Sequence, residues 1–295
     1  MYFYNTGPAA HAAFCFVNGF NLLILFMLQR TLLWFINLAP STKRWFWRTW
    51  YNLFAKKAFN SDFSFMNYGY AEAGFSPTLN GNDENERYPI HLYHHTTTQV
   101  EIKRKELLEV GSGRGGGASY VARYLHPKSI HGIDISSSAI DLSSKIHNVD
   151  NLSFSVGDSE NLPFSESRYD IVLNVESSHC YGNIDQFIKE VYRVLRPDGI
   201  FLWADFRQTE QMENLFKKAH SSGFQLIAKK DITPNIIEAL NHLTESRETA
   251  INQHVPRPIR KIFKSYAGLR GSSIHNAFLS KELVYMSAAF KKNPD

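Results

Sequence analysis

Residues Glu109–Gly117 read EVGSGRGGG and decide the fold of this chain. They follow the apolar residues Leu107 and Leu108, which predict a short buried strand, and they precede the small-residue run Ala118–Leu125, which predicts a helix. Glycine lacks a Cβ atom, so the turn between strand and helix can be tight and its backbone can lie against a nucleotide. The stretch therefore predicts a nucleotide site at the start of a Rossmann-like sheet.

The glycine turn fits two classes of nucleotide, and its neighbours favour one of them. Gly111, Gly113 and Gly116 match the dinucleotide pattern G-x-G-x-x-G, and Asp134, after a second predicted strand, is placed to accept hydrogen bonds from ribose hydroxyls. NAD would satisfy these features. Glu109, however, puts a carboxylate just before the turn, where it repels a pyrophosphate but attracts the ammonium and sulfonium charges of S-adenosylmethionine. The pattern therefore favours S-adenosylmethionine.

Further strands follow in the order that a parallel α/β sheet requires. Asp158 and Ser159 come after a third predicted strand, where they could read the amino group of an adenine. Residues 169–175 predict a fourth strand and residues 200–205 a fifth, with a helix between them. Strands that alternate with helices from 106 to 205 predict a parallel sheet with helices on both faces.

The ordered motifs resemble the class I S-adenosylmethionine-dependent methyltransferases over residues 101–205. The segments LYHHTTTQV (92–100), GGGASY (115–120) and LNVESSHCY (173–181) resemble the phthiotriol/phenolphthiotriol dimycocerosate O-methyltransferases and related polyketide O-methyltransferases. This likeness runs from about Trp47 to the C-terminus. It implies a Rossmann-like α/β sheet, S-adenosylmethionine as cofactor, and methyl transfer to a hydroxyl of a hydrophobic lipid, polyketide or related secondary metabolite.

We expect the cofactor site to combine the glycine turn, the strand ends around it and the lead-in helix before the first strand. These parts contribute Tyr93, Gln99, Glu109, Gly111, Ser112, Gly113, Gly115, Asp134, Ile135, Asp158, Ser159 and Asn174. The carboxyl ends of parallel strands meet at one edge of an open sheet, which is where such folds bind ligands.

His179 is the expected general base, because it follows the fourth strand and a neutral imidazole with a pKa of about 6.5 can take the proton of a hydroxyl. A histidine that only caps the next turn or packs beside Tyr181 is the alternative. His94 is the second candidate for the base. We expect Glu176, Tyr181 and Asp205 to contact the substrate.

Composition and charge exclude several other functions. Cys15 and Cys180 are the two cysteines among 295 residues, and their separation indicates neither a disulfide framework nor a zinc site. We therefore expect no metal, and a reducing compartment. Residues 1–61 contain six Lys or Arg and no acidic residue, whereas the remainder holds 26 of the 32 basic and all 28 acidic residues. A catalytic part without excess positive charge argues against a nucleic acid substrate.

The front of the chain predicts contact with a membrane. Residues 12–28 are 17 mostly apolar residues, slightly fewer than a bilayer-spanning helix needs. Lys43–Lys57 then mixes cations with aromatic side chains at helical spacing, which suits a lipid headgroup layer. We expect membrane association through residues 9–57 with the catalytic domain in the cytoplasm. Packing of Trp47–Phe59 on the catalytic core is the alternative.

These patterns divide the chain into five parts. We expect a hydrophobic and basic-aromatic segment at residues 1–60 and a lead-in loop and helix at 61–100. A methyltransferase core at 101–231, a helical substrate cap at 232–282 and a closing strand at 283–295 follow. The cap is an insertion before the last strand, opened by Thr233-Pro234. Two other functions stay open, namely a C-methyltransferase of a sterol- or quinone-like substrate and a catalytically inactive, membrane-tethered cofactor-binding protein.

Overall fold

A seven-stranded mixed sheet organises residues 64–293, the part of the chain that this computed structural model describes. Its strands are β1 Glu106–Val110, β2 Ser129–Asp134, β3 Leu152–Val156, β4 Tyr169–Val175, β5 Leu195–Gln208, β6 Phe224–Asp231 and β7 Leu283–Lys292. They lie in the order β3-β2-β1-β4-β5-β7-β6, with β1 to β5 parallel and β7 antiparallel to both of its neighbours. The strand order reverses between β1 and β4, and in open α/β sheets such a reversal opens a ligand crevice at the carboxyl ends of the strands.

Eight helices accompany the sheet in residues 64–293. They are α1 Arg87–Thr97, α2 Gly116–Tyr124, α3 Ser137–Ile146, α4 Ile184–Val194, α5 Thr209–Ser221, α6 Thr233–His254, α7 Arg260–Tyr266 and α8 Ser273–Leu279. Polar side chains cap several of them: the side chain of Ser136 accepts from the Ala139 amide at the start of α3, and that of Asn183 accepts from the Gln186 amide at the start of α4. Such caps fix where each helix leaves the sheet edge.

Apolar side chains pack on both faces of the sheet, because successive side chains of a strand point to opposite faces. Along β4, the side chains of Ile171, Leu173 and Val175 belong to one core, while Val172 between them belongs to the other. Trp203 on β5 is fully buried in that second core. The predicted Rossmann-like α/β sheet with helices on both faces is confirmed.

Two boundaries differ from the sequence-based expectation. The sequence pattern predicts the lead-in helix at about Leu92–Glu101, at the end of the lead-in part at 61–100. In the structure it spans Arg87–Thr97, because Pro89 falls in its first turn, where a missing amide is tolerated. The fifth strand spans Leu195–Gln208 rather than residues 200–205, and the register shift in its pairing with β4 accommodates the Pro197–Gly199 bend within it.

The expected membrane segment at residues 9–57 lies outside the described residues, as does the front division at 1–60. Among residues 64–293, no helix combines the length and the apolar character that crossing a bilayer requires. Between β6 and β7 the chain forms α6, α7 and α8, the stretch that the sequence assigns to a substrate cap.

Candidate active site

The turn after β1 has a backbone conformation that favours glycine at two positions. Gly111 has φ +79°, and a Cβ atom there would lie 2.4 Å from Oγ of Ser177 and 2.8 Å from the hydroxyl of Tyr181. Gly113 also has a positive φ, of +53°, yet no atom of the described residues lies within 4 Å of its hypothetical Cβ. One glycine is thus packed against the protein, whereas the other faces open space in the crevice, where a ligand can lie against the backbone.

Asp134 stands at the end of β2 beside this turn. Its Oδ2 accepts a hydrogen bond from the Gly113 amide at 2.9 Å, and its Oδ1 accepts one from the Ser136 amide at 2.9 Å. Burial raises the pKa of the Asp134 carboxyl, although its backbone hydrogen bonds act in the opposite direction. The carboxylate is therefore held in place and can accept further hydrogen bonds from a ribose.

Three buried polar atoms around the turn have no hydrogen-bond partner within the described chain. They are Oε2 of Glu109, Oγ of Ser112 and Oδ1 of Asn174, whose Nδ2 donates to the Val110 carbonyl at 2.9 Å. Buried polar groups are nearly always paired, because an unpaired one costs roughly 1–3 kcal/mol. Of the three residues, Ser112 lines the cavity, so a bound ligand with polar groups would satisfy its hydroxyl.

Glu109 shows which charge that ligand should carry. Its Oε1 accepts a hydrogen bond from the hydroxyl of Tyr93 at 2.6 Å, and burial raises the pKa of the Glu109 carboxyl to about 7. A nearby positive charge would lower this pKa and stabilise the carboxylate, whereas a phosphate would be repelled. The turn therefore fits the positively charged S-adenosylmethionine better than a dinucleotide.

One cavity of about 640 Å³ joins the turn to the helices that follow β6. At one end it is lined by the glycine turn and by the ends of the strands, including Asp134 and Asp158. At the other end Leu243 and Ile251 of α6 and Phe263 of α7 form an apolar wall. The cavity can thus hold a nucleoside and an apolar second ligand side by side.

Glu176 lies on the wall between the two ends and is held in an unusual conformation. Its φ is +48°, and its Oε2 accepts hydrogen bonds from the Tyr68 amide at 2.9 Å and from the Tyr285 hydroxyl at 3.0 Å. Burial raises the pKa of the Glu176 carboxyl to about 8. Positive φ at a non-glycine residue is uncommon and strained, so the surrounding contacts hold this carboxyl at the cavity wall.

His179 follows β4 in a short 3-10 turn and is paired with Asp205 of β5. Its Nδ1 lies 2.8 Å from Oδ1 of Asp205, and its amide donates to Oδ2 at 2.9 Å. Ser178 Oγ also donates to Oδ2, at 2.7 Å, and Arg207 forms an ion pair with the same carboxylate at 3.1 Å. Asp205 is fully buried, and these four groups satisfy its charge.

The charge around His179 favours its protonated form. Burial alone lowers the pKa of the imidazole, but Cys180 and Asp205 interact with it electrostatically and by hydrogen bonds, and together they raise the pKa to about 10. A histidine paired with a buried carboxylate has one ring nitrogen fixed, which sets the tautomer and orientation of the ring.

The structure places the expected residues in two groups. Those that line the cavity are Tyr93, Gly111, Ser112, Gly113, Asp134, Ile135, Asp158, Ser159, Glu176 and Tyr181. Those that do not are His94, Gln99, Glu109, Gly115, Asn174, His179 and Asp205. Glu109 and Asn174 adjoin the cavity through their contacts with Tyr93 and Tyr181.

The remaining residues outside the lining have other contacts. The His94 ring is hydrogen-bonded to the Tyr120 hydroxyl and packs against Phe75, Gln99 donates to the Thr96 carbonyl, and Gly115 caps α2. Asp205, expected to contact a substrate, lies behind His179 instead.

Sequence reasoning missed Arg247, Tyr68 and Tyr285. The Arg247 guanidinium donates to the carbonyls of Ala267 at 2.8 Å and Asn67 at 2.7 Å, and it also interacts with Glu176. One feature of the sequence could have indicated Arg247: it lies four residues from both Leu243 and Ile251, so helical spacing places a cation on the buried side of α6. No sequence pattern predicts the role of Tyr68 and Tyr285, because their contacts with Glu176 depend on the tertiary fold.

Comparison with known proteins identifies the family. A family model described as a methyltransferase domain matches residues 102–254. The phthiotriol/phenolphthiotriol dimycocerosates methyltransferase of Mycobacterium tuberculosis (strain ATCC 25618 / H37Rv) is 35% identical over 256 residues, which is 86% of this chain and 95% of that protein. The fatty-acid O-methyltransferase of Mycolicibacterium smegmatis is 35% identical over 221 residues, which is 75% of this chain and 81% of that protein.

Solved structures show the same fold at low sequence identity. Geranyl diphosphate C-methyltransferase from Streptomyces coelicolor A3(2) superposes with a TM-score of 0.62 at 14% identity, covering 83% of this chain and 97% of that one. A putative sarcosine dimethylglycine methyltransferase from Galdieria sulphuraria gives a TM-score of 0.62 at 14% identity, covering 77% and 93%. This chain therefore belongs to the class I S-adenosylmethionine-dependent methyltransferases, and its cofactor is S-adenosylmethionine.

Proposed function

We propose that this protein transfers a methyl group to a hydroxyl of a hydrophobic lipid, polyketide or related secondary metabolite, with His179 as the general base. The observation that carries the proposal is the His179–Asp205 pair beside a cavity that runs from the glycine turn to an apolar wall. The relatives named for dimycocerosates and for fatty acids support a lipid-like substrate.

Residues of the turn and the strand ends would hold the cofactor. Asp134 would accept hydrogen bonds from the ribose, and the Ser112 hydroxyl would bind a polar group of the cofactor. Glu109 and Asn174 would act from behind the cavity wall, through Tyr93 and Tyr181. When bound, S-adenosylmethionine supplies an activated methyl group. The protein must then orient the hydroxyl, exclude water and remove one proton.

His179 would remove that proton at Nε2, because Asp205 accepts from Nδ1 and fixes the tautomer. Its neighbours in sequence, Cys180 and Tyr181, both line the cavity. The imidazole also packs against Phe206 at a ring distance of 4.4 Å, and Phe206 packs against Tyr68 of the cavity wall. A raised pKa makes the neutral imidazole a strong base once it has lost its own proton.

The cap would close the substrate end. We assign this part to residues 232–282, with the methyltransferase core at 101–231, because α6 and α7 supply the apolar wall of the cavity.

Membrane association through residues 9–57, with the catalytic domain in the cytoplasm, belongs to the same proposal, because a lipid substrate is found in the bilayer. Carbonate washing of membranes from cells that produce the full chain tests it, and complete release would contradict it.

C-methylation is the second candidate, and the surroundings of Glu176 favour it. A carbon nucleophile with π electrons develops positive charge as it accepts a methyl group, and aromatic rings and a carboxyl stabilise such charge. Glu176 is hydrogen-bonded by Tyr68 and Tyr285, whose rings both pack against Phe206.

Product analysis separates these activities. Incubation with isotopically labelled S-adenosylmethionine and lipid extracts, followed by mass spectrometry and alkaline or acid cleavage, shows whether the added methyl is on oxygen or carbon. A labelled methyl ether supports methylation of a hydroxyl, a labelled methyl ester would place the methyl on a carboxyl instead, and a label on carbon supports the second candidate. Cofactor binding by calorimetry without any labelled product would indicate an inactive cofactor-binding protein.

A further inference from the structure

The part of the substrate cap between Glu248 and Glu282 carries a strong positive charge that the cofactor site does not use. Residues 249–281 contain six cations and no Asp or Glu: Arg257, Arg260, Lys261, Lys264, Arg270 and Lys281. Lys264 pairs with Glu248 of α6 at 2.5 Å, and Arg260 donates to backbone carbonyls at the end of α6. Arg257 and Lys261 are exposed and carry their charge into solvent.

The same segment exposes apolar side chains at helical spacing. Ile259 is three and four residues before Ile262 and Phe263, and Tyr266 is four and three residues after them, so all four share one side of the helical stretch formed by a 3-10 turn and α7. Phe263 and Tyr266 line the cavity, whereas Ile259 is 39% and Ile262 43% exposed. The apolar stripe is therefore continuous from the inside of the cavity to the surface.

A second exposed apolar residue stands beside this stripe. Met66 lines the cavity and is 55% exposed. Its neighbour Asn67 is joined to Ala267, just after α7, through the guanidinium of Arg247, and the hydroxyl of Tyr68 donates to the Tyr266 carbonyl at 3.1 Å. Met66 and the stripe thus lie together at the cavity mouth.

We propose that Met66, Ile259 and Ile262, together with Arg257 and Lys261, form a docking face that sits on an anionic bilayer and opens the cavity towards the lipid. Exposed apolar side chains can enter the headgroup boundary, while cations on the same short segment attract anionic lipids. The inference rests on the proposed lipid substrate, and it places a second membrane contact within the catalytic part, separate from residues 9–57.

Charge complementarity favours a bilayer over the other possible occupants. Residues 1–61 of this chain carry six cations and no acidic residue, so they have the same sign of charge as the docking face. A second copy presenting the same face would also repel it. An anionic surface attracts both cationic parts of one chain.

A local fluorescence measurement on the full chain tests the proposal. In a Cys15→Ser background, an environment-sensitive fluorophore is attached to Ile262→Cys, and in a matched variant to Ile227→Cys on β6, where Ile227 is 45% exposed. Vesicles of phosphatidylcholine, with or without phosphatidylglycerol, are then added. We expect a blue shift at position 262 with anionic vesicles, quenching there by a lipid-borne quencher, and neither effect at position 227.

Charge variants give the second arm of the test. Replacing Arg257 and Lys261 by Gln should raise the lipid concentration for the half-maximal shift at position 262 by roughly fivefold per charge, or about 25-fold for both. The control replaces Lys189 and Lys217, which are exposed on α4 and α5, in the same way, and should leave that concentration unchanged.

Three results would overturn the docking face. The first is no shift at position 262 while the full chain co-sediments with anionic vesicles, because the chain would then be attached elsewhere. The second is emission that is already blue-shifted without vesicles at low protein concentration, which would mean that the chain covers its own face. The third is a shift that grows with protein concentration alone, which would indicate a second copy. Methyl transfer to a detergent-dispersed substrate is measured in parallel, so that failure of the proposed activity is distinguished from failure of docking.

Discussion

Nδ1 of His179 lies 2.8 Å from Oδ1 of Asp205, a carboxylate with no exposed surface. The two residues come from neighbouring parallel strands, since Val175 of β4 pairs with Ala204 of β5 and the chain continues from both at the same sheet edge. The pair links a buried negative charge to an imidazole beside the cavity. It is the arrangement from which the proposed proton transfer follows.

Replacing Asp205 by Asn should lower turnover on the high-pH plateau, where the imidazole is neutral in both proteins, by roughly 10²–10⁴-fold, because the imidazole loses the charge that orients it and strengthens it as a base. Steady-state kinetics with the identified substrate measures the effect. Cofactor affinity, measured by calorimetry, should change little, because Asp205 does not line the cavity. Turnover within about threefold of the wild-type value would contradict a role for Asp205 in proton removal.

The rate should depend on pH through His179. Its folded pKa is raised to about 10, so the neutral imidazole that accepts a proton is the minor form at neutral pH and increases as pH rises. We therefore expect kcat/KM to increase about tenfold per pH unit above neutrality and to level off near a pH of about 10.

In the Asp205→Asn variant the same profile should move to lower pH, because a negative charge that raises the pKa has been removed. Glu176→Gln is the control, since the Glu176 carboxyl has a pKa raised to about 8 and also titrates in this range. A kcat/KM that does not change with pH in the wild type would contradict a role for His179 in the pH dependence. Loss of the pH dependence in the Glu176→Gln variant would assign the titration to Glu176 instead.

Asp134→Ala should weaken S-adenosylmethionine binding by roughly 10–100-fold, because the ribose loses a charged acceptor worth ~1.5–3 kcal/mol. Isothermal calorimetry measures the affinity directly. Asp141→Ala, an exposed position on α3, is the matched control and should bind normally. Normal binding by the Asp134 variant would remove this residue from the cofactor site.

Gly111→Ala should destabilise the fold by ~1–3 kcal/mol, because the new Cβ would clash with Ser177 and Tyr181 at a φ of +79°. Denaturant unfolding measures the free energy. Gly81→Ala is the control, since a Cβ there meets no atom within 4 Å. Equal stability of the two variants would show that the turn does not need glycine at position 111.

The sequence indicates which residues come together around the glycine turn, because that end of the site is local. A strand, a glycine turn and a helix follow one another within residues 107–124, and Asp134 closes the next strand, so spacing alone places them together. The pair that we propose for proton removal was anticipated only in part. His179 was named as the base, but Asp205 was expected at the substrate, because its position behind the imidazole depends on the register between β4 and β5.

The substrate end depends on contacts between distant segments, which sequence patterns do not supply. Arg247 joins carbonyls at residues 67 and 267, and Glu176 is hydrogen-bonded by residues 68 and 285. The helix boundaries of α1 also shifted, because a proline was tolerated within its first turn. The sequence therefore indicates the residues around the glycine turn, but it does not indicate the residues of the cavity wall that would select the substrate.

The most direct test of the account compares His179→Ala with the wild type in two measurements on one preparation, namely cofactor affinity by calorimetry and turnover with an O-methylated product. We predict nearly unchanged affinity and a turnover lowered by roughly 10²–10⁴-fold, because the imidazole would act on the substrate proton and not on the cofactor. Loss of cofactor affinity equal to the loss in turnover, or turnover that survives intact, would contradict His179 as the base.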